Sequence, residues 1–216
     1  MQNTDGPAGQ ALPPIPDHVR QAAREAPDHW IGVVDPGWPA TAPPPPWAVA
    51  GEWRSGLDGE VVAWQPNDDY RPSPLALGWR DPTDPVDAAV QLAVTGYGPL
   101  DDVVEALAGA EVTVLRAPDG GPLTVSGSDG APAVPVFTAP PHQPFEGALA
   151  HDTIAVADLV RRIAPDEGRL SVNPAGPARL LLDTRQLLDA IGTAAPAGST
   201  GSLHPLPTSS VTQRTP

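Results

Sequence analysis

The side chains able to do acid–base, nucleophilic or metal chemistry are few and dispersed. The five histidines are His18, His29, His142, His151 and His204. None has a partner at the i, i+3 or i+4 spacing that puts two imidazoles on one helix face for a metal. They read as ordinary surface histidines. Asp68-Asp69 and Asp101-Asp102 are adjacent acids, and neighbours on a helix or strand point apart, so neither pair is an acid–base dyad by itself. The first suits a solvated turn and the second a helix start whose dipole favours negative charge. No Gly-x-Ser-x-Gly elbow occurs, and Gly127-Ser128-Asp129-Gly130 suits a hairpin turn. Only a triad assembled from distant residues would make this chain a hydrolase.

Two residue types are missing altogether. The 216 residues include no cysteine, and all twelve basic residues are arginine. Thiolate metal sites, disulfides and cysteine nucleophiles are thereby excluded. So are the P-loop lysine, a Schiff-base lysine and the Ser-x-x-Lys nucleophile. No cofactor is implied. The net charge of −14 argues against nucleic acid and anionic membrane surfaces, which both need concentrated positive charge. No apolar run approaches the roughly 20 residues of a membrane span. MQNTDGPAGQ lacks the basic start and apolar stretch of a secretory signal, so the expected location is cytoplasmic.

Composition varies along the chain. Proline (31) and glycine (21) bring it close to the composition of low-complexity sequences. Yet the last 21 residues, PAGSTGSLHPLPTSSVTQRTP, contain no acid and only one arginine, Arg214. That segment and residues 1–16 are expected to be disordered. All six tryptophans lie between Trp30 and Trp79, which marks a boundary near residue 80. Residues 17–80 are expected to form one unit and residues 81–195 another.

The first unit opens with a short helix from Asp17, stopped by Pro27. Trp30 to Val34 reads as a strand ended by Asp35-Pro-Gly37. Pro43 to Pro46 reads as a polyproline spacer, also a P-x-x-P of the kind aromatic grooves recognise. Trp47, Val49 and Trp53 share parity and face one way if they lie on one strand. Ser55 to Gly59 turns into a returning strand carrying Val62 and Trp64. The expected product is a three-stranded antiparallel meander with most of the tryptophans in its core.

The second unit reads as α+β. Asp84 is a good N-cap with Pro85 at the first helical position. Val86, Ala89, Val90, Ala93 and Val94 then recur at helical spacing up to Gly96. A second helix after Gly98-Pro99 puts Leu100, Val103, Val104 and Leu107 on one face, with Tyr97 in the turn between the two. Strands follow at 112–115, 123–125 and 133–138, joined by two Asp-Gly turns that suggest a meander. Pro135 places the third of these at an edge or a bulge. Further strands lie around Ile154, Leu170 and Leu180, with helices from Asp158 and Thr184.

Trp30-Ile-Gly32 and Tyr97-Gly-Pro-Leu-Asp101 match the W-x-G and Y-x-x-x-D patterns of type VII secretion substrates. Their strand-like and proline-rich surroundings make both coincidental in that sense. Longer stretches carry a resemblance as a set: Ala26-Pro-Asp-His-Trp-Ile-Gly-Val-Val-Asp-Pro36, Trp47-Ala-Val-Ala-Gly-Glu-Trp-Arg-Ser55, Tyr70-Arg-Pro-Ser-Pro-Leu-Ala-Leu-Gly-Trp79, Pro82-Thr-Asp-Pro-Val-Asp-Ala-Ala89, Val134-Pro-Val-Phe-Thr138 and Asn173-Pro174. The set resembles actinobacterial proteins described as type VII secretion system-associated, whose second domain is similar to SseB-like domains. The resemblance spans about residues 17–192. It implies a small Trp-rich β-meander followed by an SseB-like α+β domain, no established reaction and no catalytic residues.

These readings lead to a non-enzymatic accessory or adaptor protein that binds a protein partner, a type VII secretion component or substrate. The expected partner-binding residues are Trp38, Tyr70, Arg71, Trp79, Asp81 and Asp84. Two alternatives are an immunity-type protein that neutralises a secreted toxin, for which the acidity suits a basic target, and a hydrolase with dispersed residues. The proline-rich joint from Tyr70 to Pro85 is expected to be an ordered strap, because Trp79 and Leu75 to Leu77 offer apolar surface to dock.

Overall fold

A computed structural model describes residues 12–127, 129–145, 149–163 and 168–194. The tail expected to be disordered at 196–216, His204 within it, and residues 1–11 lie outside the described residues.

The described residues form two sheets and five α-helices, an α+β fold. Helix α1 (Asp17–Glu25) precedes a three-stranded antiparallel sheet of β1 (Trp30–Val34), β2 (Val49–Ser55) and β3 (Val61–Pro66) in that order. Ser55, fully buried, ties the turn after α1 to this sheet: its hydroxyl donates to Ala26 O at 2.6 Å and accepts from His29 N at 2.9 Å. Gly51 pairs with Val33, next to the β1–β2 register shift that sets Val34 opposite Val49. Its φ is +155°, and a Cβ there would lie 2.5 Å from Gln65 O and 2.6 Å from the Trp64 ring. The shift breaks the even alternation expected along 47–53. Trp47 also lies outside β2, in a 3-10 turn over Pro46–Ala48 that follows an extended Pro45 (φ −69°, ψ 159°).

The second sheet follows α2 (Pro85–Thr95) and α3 (Leu100–Ala108). Its strands are β4 (Glu111–Leu115), β5 (Val125–Ser126), β6 (Pro132–Phe137), β7 (His151–Ala155), β8 (Arg169–Val172) and β9 (Leu180–Asp183), with α4 (Val156–Arg162) and α5 (Thr184–Ala194) between and after them. The order is β7-β4-β6-β8-β9, with β5 paired to β6 off this path. Among the described residues only β6 and β8 pair in parallel. The core is built by alternation: Val112 and Val114, Val134 and Val136, Leu170 and Val172, and Leu182 pack with Val86, Val90, Val103, Leu107, Val156, Leu159, Val160 and Leu187 of the helices.

Pro135 is therefore not at an edge: β6 is central. It is accommodated because the β4 ladder covers only Val136 and Phe137 of β6, so the missing N–H falls beyond the last rung. The expected meander also closes differently, since β6 returns past the short β5 to pair with β4. Helix α4 starts at Val156, two residues before Asp158, and the Thr184 hydroxyl donates to Gly168 O at 2.9 Å.

The tryptophans do not make one buried core. Trp53 is buried at 3% exposure and stacks tilted on Trp64 at 4.5 Å between centroids. Trp30 is 47% exposed, with the Arg54 guanidinium 5.7 Å over its ring, while Trp38, Trp47, Trp64 and Trp79 are half-buried. The short helix α1, which buries Val19 and Ala23, is too small to cover six indoles of this size.

Candidate functional site

The joint between the two sheets is ordered through its own backbone. Asp35, at the end of β1, is 2% exposed and works as an acceptor hub. Its Oδ1 accepts from Gly37 N at 2.7 Å, and its Oδ2 accepts from Tyr70 Oη at 2.7 Å and Ser73 N at 3.0 Å. Gly37 is required here, since a Cβ would lie 2.5 Å from Ser73 Oγ. Burial pushes the Asp35 carboxyl up, but hydrogen bonds from Ser73, Tyr70 and Gly37 outweigh it and hold the group below its ordinary 3.8.

One residue further, Arg71 N donates to Trp47 O at 2.9 Å, and Arg71 O accepts from Tyr97 Oη at 3.0 Å. Tyr97 comes from the turn between α2 and α3, where it was expected. Its ring packs edge-to-face on Trp47 at 5.1 Å and on Trp38 at 6.3 Å, and those two indoles meet each other at 5.5 Å. This aromatic trio is the seam between the first sheet and the second half of the chain. Burial, then the Asp35 charge, pushes the Tyr97 phenol up to about 12.

Beyond the seam the strap turns. Leu77 N donates to Ser73 O at 2.9 Å and Trp79 N to Pro74 O at 3.0 Å. Trp79 packs against the main core. Its other side lines a cavity of about 320 Å³ together with Leu75, Asp81, Leu92 and Tyr97. It also lines a broader hollow of about 840 Å³ that reaches Val94, Val125 and Leu180. Leu75 (62%), Leu92 (41%) and Val94 (39%) are exposed around it. These residues make an apolar surface that sequence patterning missed at two points. Val94 belongs to the helical stripe expected to face the core and Leu92 lies outside that stripe; two positions apart on α2, they line different hollows, Leu92 the smaller and Val94 the broader.

The remaining polar residues gather where β6 and β8 end side by side. Asp84 caps α2, its Oδ1 accepting from Asp87 N at 2.9 Å, while its Oδ2 accepts from Thr83 Oγ1 at 2.9 Å and Thr138 Oγ1 at 2.7 Å. Asn173, fully buried with φ +46°, accepts from Thr138 N at 3.0 Å and donates to Thr138 Oγ1 at 2.9 Å. His142 Nε2 lies 2.9 Å from Thr83 Oγ1 and 3.4 Å from Asp87 Oδ2. Its side chain is only 11% exposed, so the reading of all five histidines as surface residues fails here. Residues 83, 84, 138 and 173 all belong to stretches singled out in the sequence, but nothing local predicts that they meet.

The six residues expected to bind a partner thus fall in three places. Trp38, Tyr70 and Arg71 belong to the seam, and the Arg71 side chain lies beside Gly96 at the C-terminus of α2. Trp79 and Asp81 line the small cavity. Asp84 is in the polar cluster. Among the described residues, no three His, Asp or Glu side chains are grouped to hold a metal ion, and no helix is long and apolar enough to cross a membrane.

No curated protein and no solved structure matches the chain. Residues 86–188 match the family model of the SseB protein N-terminal domain, a stretch that begins in α2 and ends in α5, so the six-stranded half of the chain is an SseB-like domain.

Proposed function

We propose that the protein is a non-enzymatic, cytoplasmic accessory or adaptor protein associated with type VII secretion, which binds a protein partner through the surface around Trp79. The observation that carries this reading is the strap: a proline-rich segment held in place by Asp35, Trp47 and Tyr97, presenting Leu75 at 62% exposure next to Trp79 and Leu92. A rigid apolar surface with an aromatic anchor is the usual make-up of a binding hot spot. The secretion-system assignment rests on the resemblance of residues 17–192.

The grouping of Thr83, His142 and Asp87 favours this over the hydrolase reading. Thr83 Oγ1 lies 2.9 Å from Asp84 Oδ2 and 2.9 Å from His142 Nε2. Asp87 faces the same nitrogen. In a Ser-His-Asp-type triad the nucleophile and the acid meet opposite ring nitrogens, whereas here Thr83 and Asp87 meet the same one.

The test is affinity purification from an actinobacterial lysate with the wild-type chain and with Leu75→Glu, a change at an exposed position. A secretion component or substrate recovered by the wild type and lost with Leu75→Glu is expected. Recovery of no such protein, or equal recovery by both, overturns the reading. Rescue of growth on co-expression with a neighbouring toxin gene would favour an immunity protein instead.

A further inference from the structure

The helical layer of the SseB-like domain contains a second surface, lined by α3 and α5 and not by the strap. Helix α3 was expected to bury Leu100, Val103, Val104 and Leu107 alike. Val103 and Leu107 are fully buried, but Leu100 is 40% exposed and Val104 half-buried. The reason is a groove of about 1160 Å³ between α3 and α5, also touched by Arg161 of α4. Leu100, Val104 and Ala108 recur at i, i+4 and i+8 along one wall, and Leu188 and Ile191 form the other. The floor is an apolar stripe running the nine residues of α3, about 13 Å at 1.5 Å per residue.

Its rim is acidic. Asp101 and Glu105 stand one turn apart on α3, and Asp189 stands on α5. None of the three forms an ion pair among the described residues, whereas Arg161 is occupied by Asp158 at 2.9 Å. The groove therefore combines an apolar floor of helical pitch with three unneutralised carboxylates.

We infer that this groove is a docking site for an amphipathic helix of a protein partner whose apolar stripe is flanked by arginine or lysine. The shape selects a helix, because anchors at i, i+4 and i+7 would meet the rows presented by α3 and α5. The charge selects a basic one: an acidic helix would place its own carboxylates against Asp101, Glu105 and Asp189. Binding through this groove does not depend on the strap surface, and a chain with both would bridge two partners.

The experiment uses the full chain and fluorescein-labelled model helices of about 18 residues, some 27 Å long. One peptide has a leucine stripe flanked by lysine, one the same stripe flanked by glutamate, and one the lysine composition scrambled to remove the stripe. Anisotropy titrations are expected to show saturable binding of the lysine helix that weakens with salt, with the other two bound at least about tenfold more weakly. Val104→Glu, which puts a charge on the floor, and Asp189→Arg, a surface change that leaves the core intact, are each expected to weaken binding about tenfold, with unchanged circular dichroism. Leu75→Glu leaves it unaltered. Equal binding of the scrambled peptide, no binding of the lysine helix, or insensitivity to Asp189→Arg overturns the inference. Concentration-dependent dimerisation abolished by Val104→Glu, without peptide binding, overturns it in favour of a second copy of this chain.

Discussion

Tyr70 donates its hydroxyl to the buried carboxylate of Asp35 at 2.7 Å, across 35 residues of sequence. The bond fixes the head of the strap to the end of β1. With Ser73 N and Gly37 N it completes the acceptor capacity that Asp35 uses in the fold. Replacing Tyr70 by Phe removes one donor from a charged, desolvated group and is expected to cost about 1–3 kcal/mol in urea unfolding at pH 7. The effect depends on pH. Because the folded Asp35 carboxyl lies below its ordinary 3.8, its contribution is present above that value and is lost as pH falls through the folded value. The difference between Tyr70→Phe and wild type is therefore expected to shrink below about pH 4. A constant difference down to pH 2 would show that Asp35 is not the group involved.

The same hub acts on the alkaline side. The chain contains two tyrosines. Burial, then the nearby Asp35, pushes the Tyr97 phenol up to about 12, and burial together with its bond to Asp35 pushes Tyr70 further in the same direction. Both stay neutral in the fold, while in the unfolded chain they ionise near the ordinary 10. The stability they contribute is complete below pH 10 and is lost as pH climbs from there through about 12. Absorbance at 295 nm is expected to show almost no tyrosinate in the native protein at pH 11 and an ordinary titration in denaturant. A native midpoint near 10 would contradict the burial of both phenols.

Two glycines separate backbone requirement from incidental flexibility. At Gly51 a methyl group would meet Gln65 O at 2.5 Å and the Trp64 ring at 2.6 Å, with φ at +155°. Gly51→Ala must push β3 away from β2 and is expected to destabilise by about 1–3 kcal/mol. Gly109 has φ of −96° and nothing within 4 Å of the same methyl position. Gly109→Ala is expected to lie within about 0.5 kcal/mol of wild type, on the stabilising side. Thermal unfolding of both variants checks this, and equal melting temperatures would sink the β2–β3 argument.

What could be read from the sequence was what local chemistry decides. Asp84-Pro85 marked the start of α2 and Gly96 its end because capping and φ preferences act over a few residues. The turns at Asp119-Gly120 and Asp129-Gly130 were legible for the same reason. Pro135 misled, because the rule against proline in central strands assumes a complete ladder on both sides, and the β4–β6 pairing stops at Val114 and Val136. Trp47 misled because strand parity cannot detect a 3-10 turn preceding the strand. The site was legible only as scattered pieces. Tyr70, Trp79 and Asp84 stood out, but the hydrogen bonds that place them span 35 and 54 residues, and no periodicity encodes such pairings.

Asp84 and Asp81 are near neighbours with opposite expected consequences. Asp84 supplies the N-cap of α2 and accepts from two threonine hydroxyls, one of them on Thr138 after β6. Thr138 is in turn held by Asn173 after β8, so a single carboxylate joins the start of α2 to the ends of both parallel strands. Asp84→Ala removes the cap and leaves the Thr138 hydroxyl only the longer bond to Asn173 Oδ1 at 3.3 Å, a loss of about 2 kcal/mol. Asp84→Asn keeps a capping oxygen and is expected to lose less than about 1 kcal/mol. Asp81 is exposed and has no hydrogen bond or ion pair among the described residues, so Asp81→Ala is expected within about 0.5 kcal/mol of wild type. Urea denaturation of the three variants orders them. If Asp84→Ala unfolds with the wild-type midpoint, the cluster does not hold α2 to the sheet; if Asp81→Ala alone weakens partner capture, the small cavity beside Trp79 is where the partner sits.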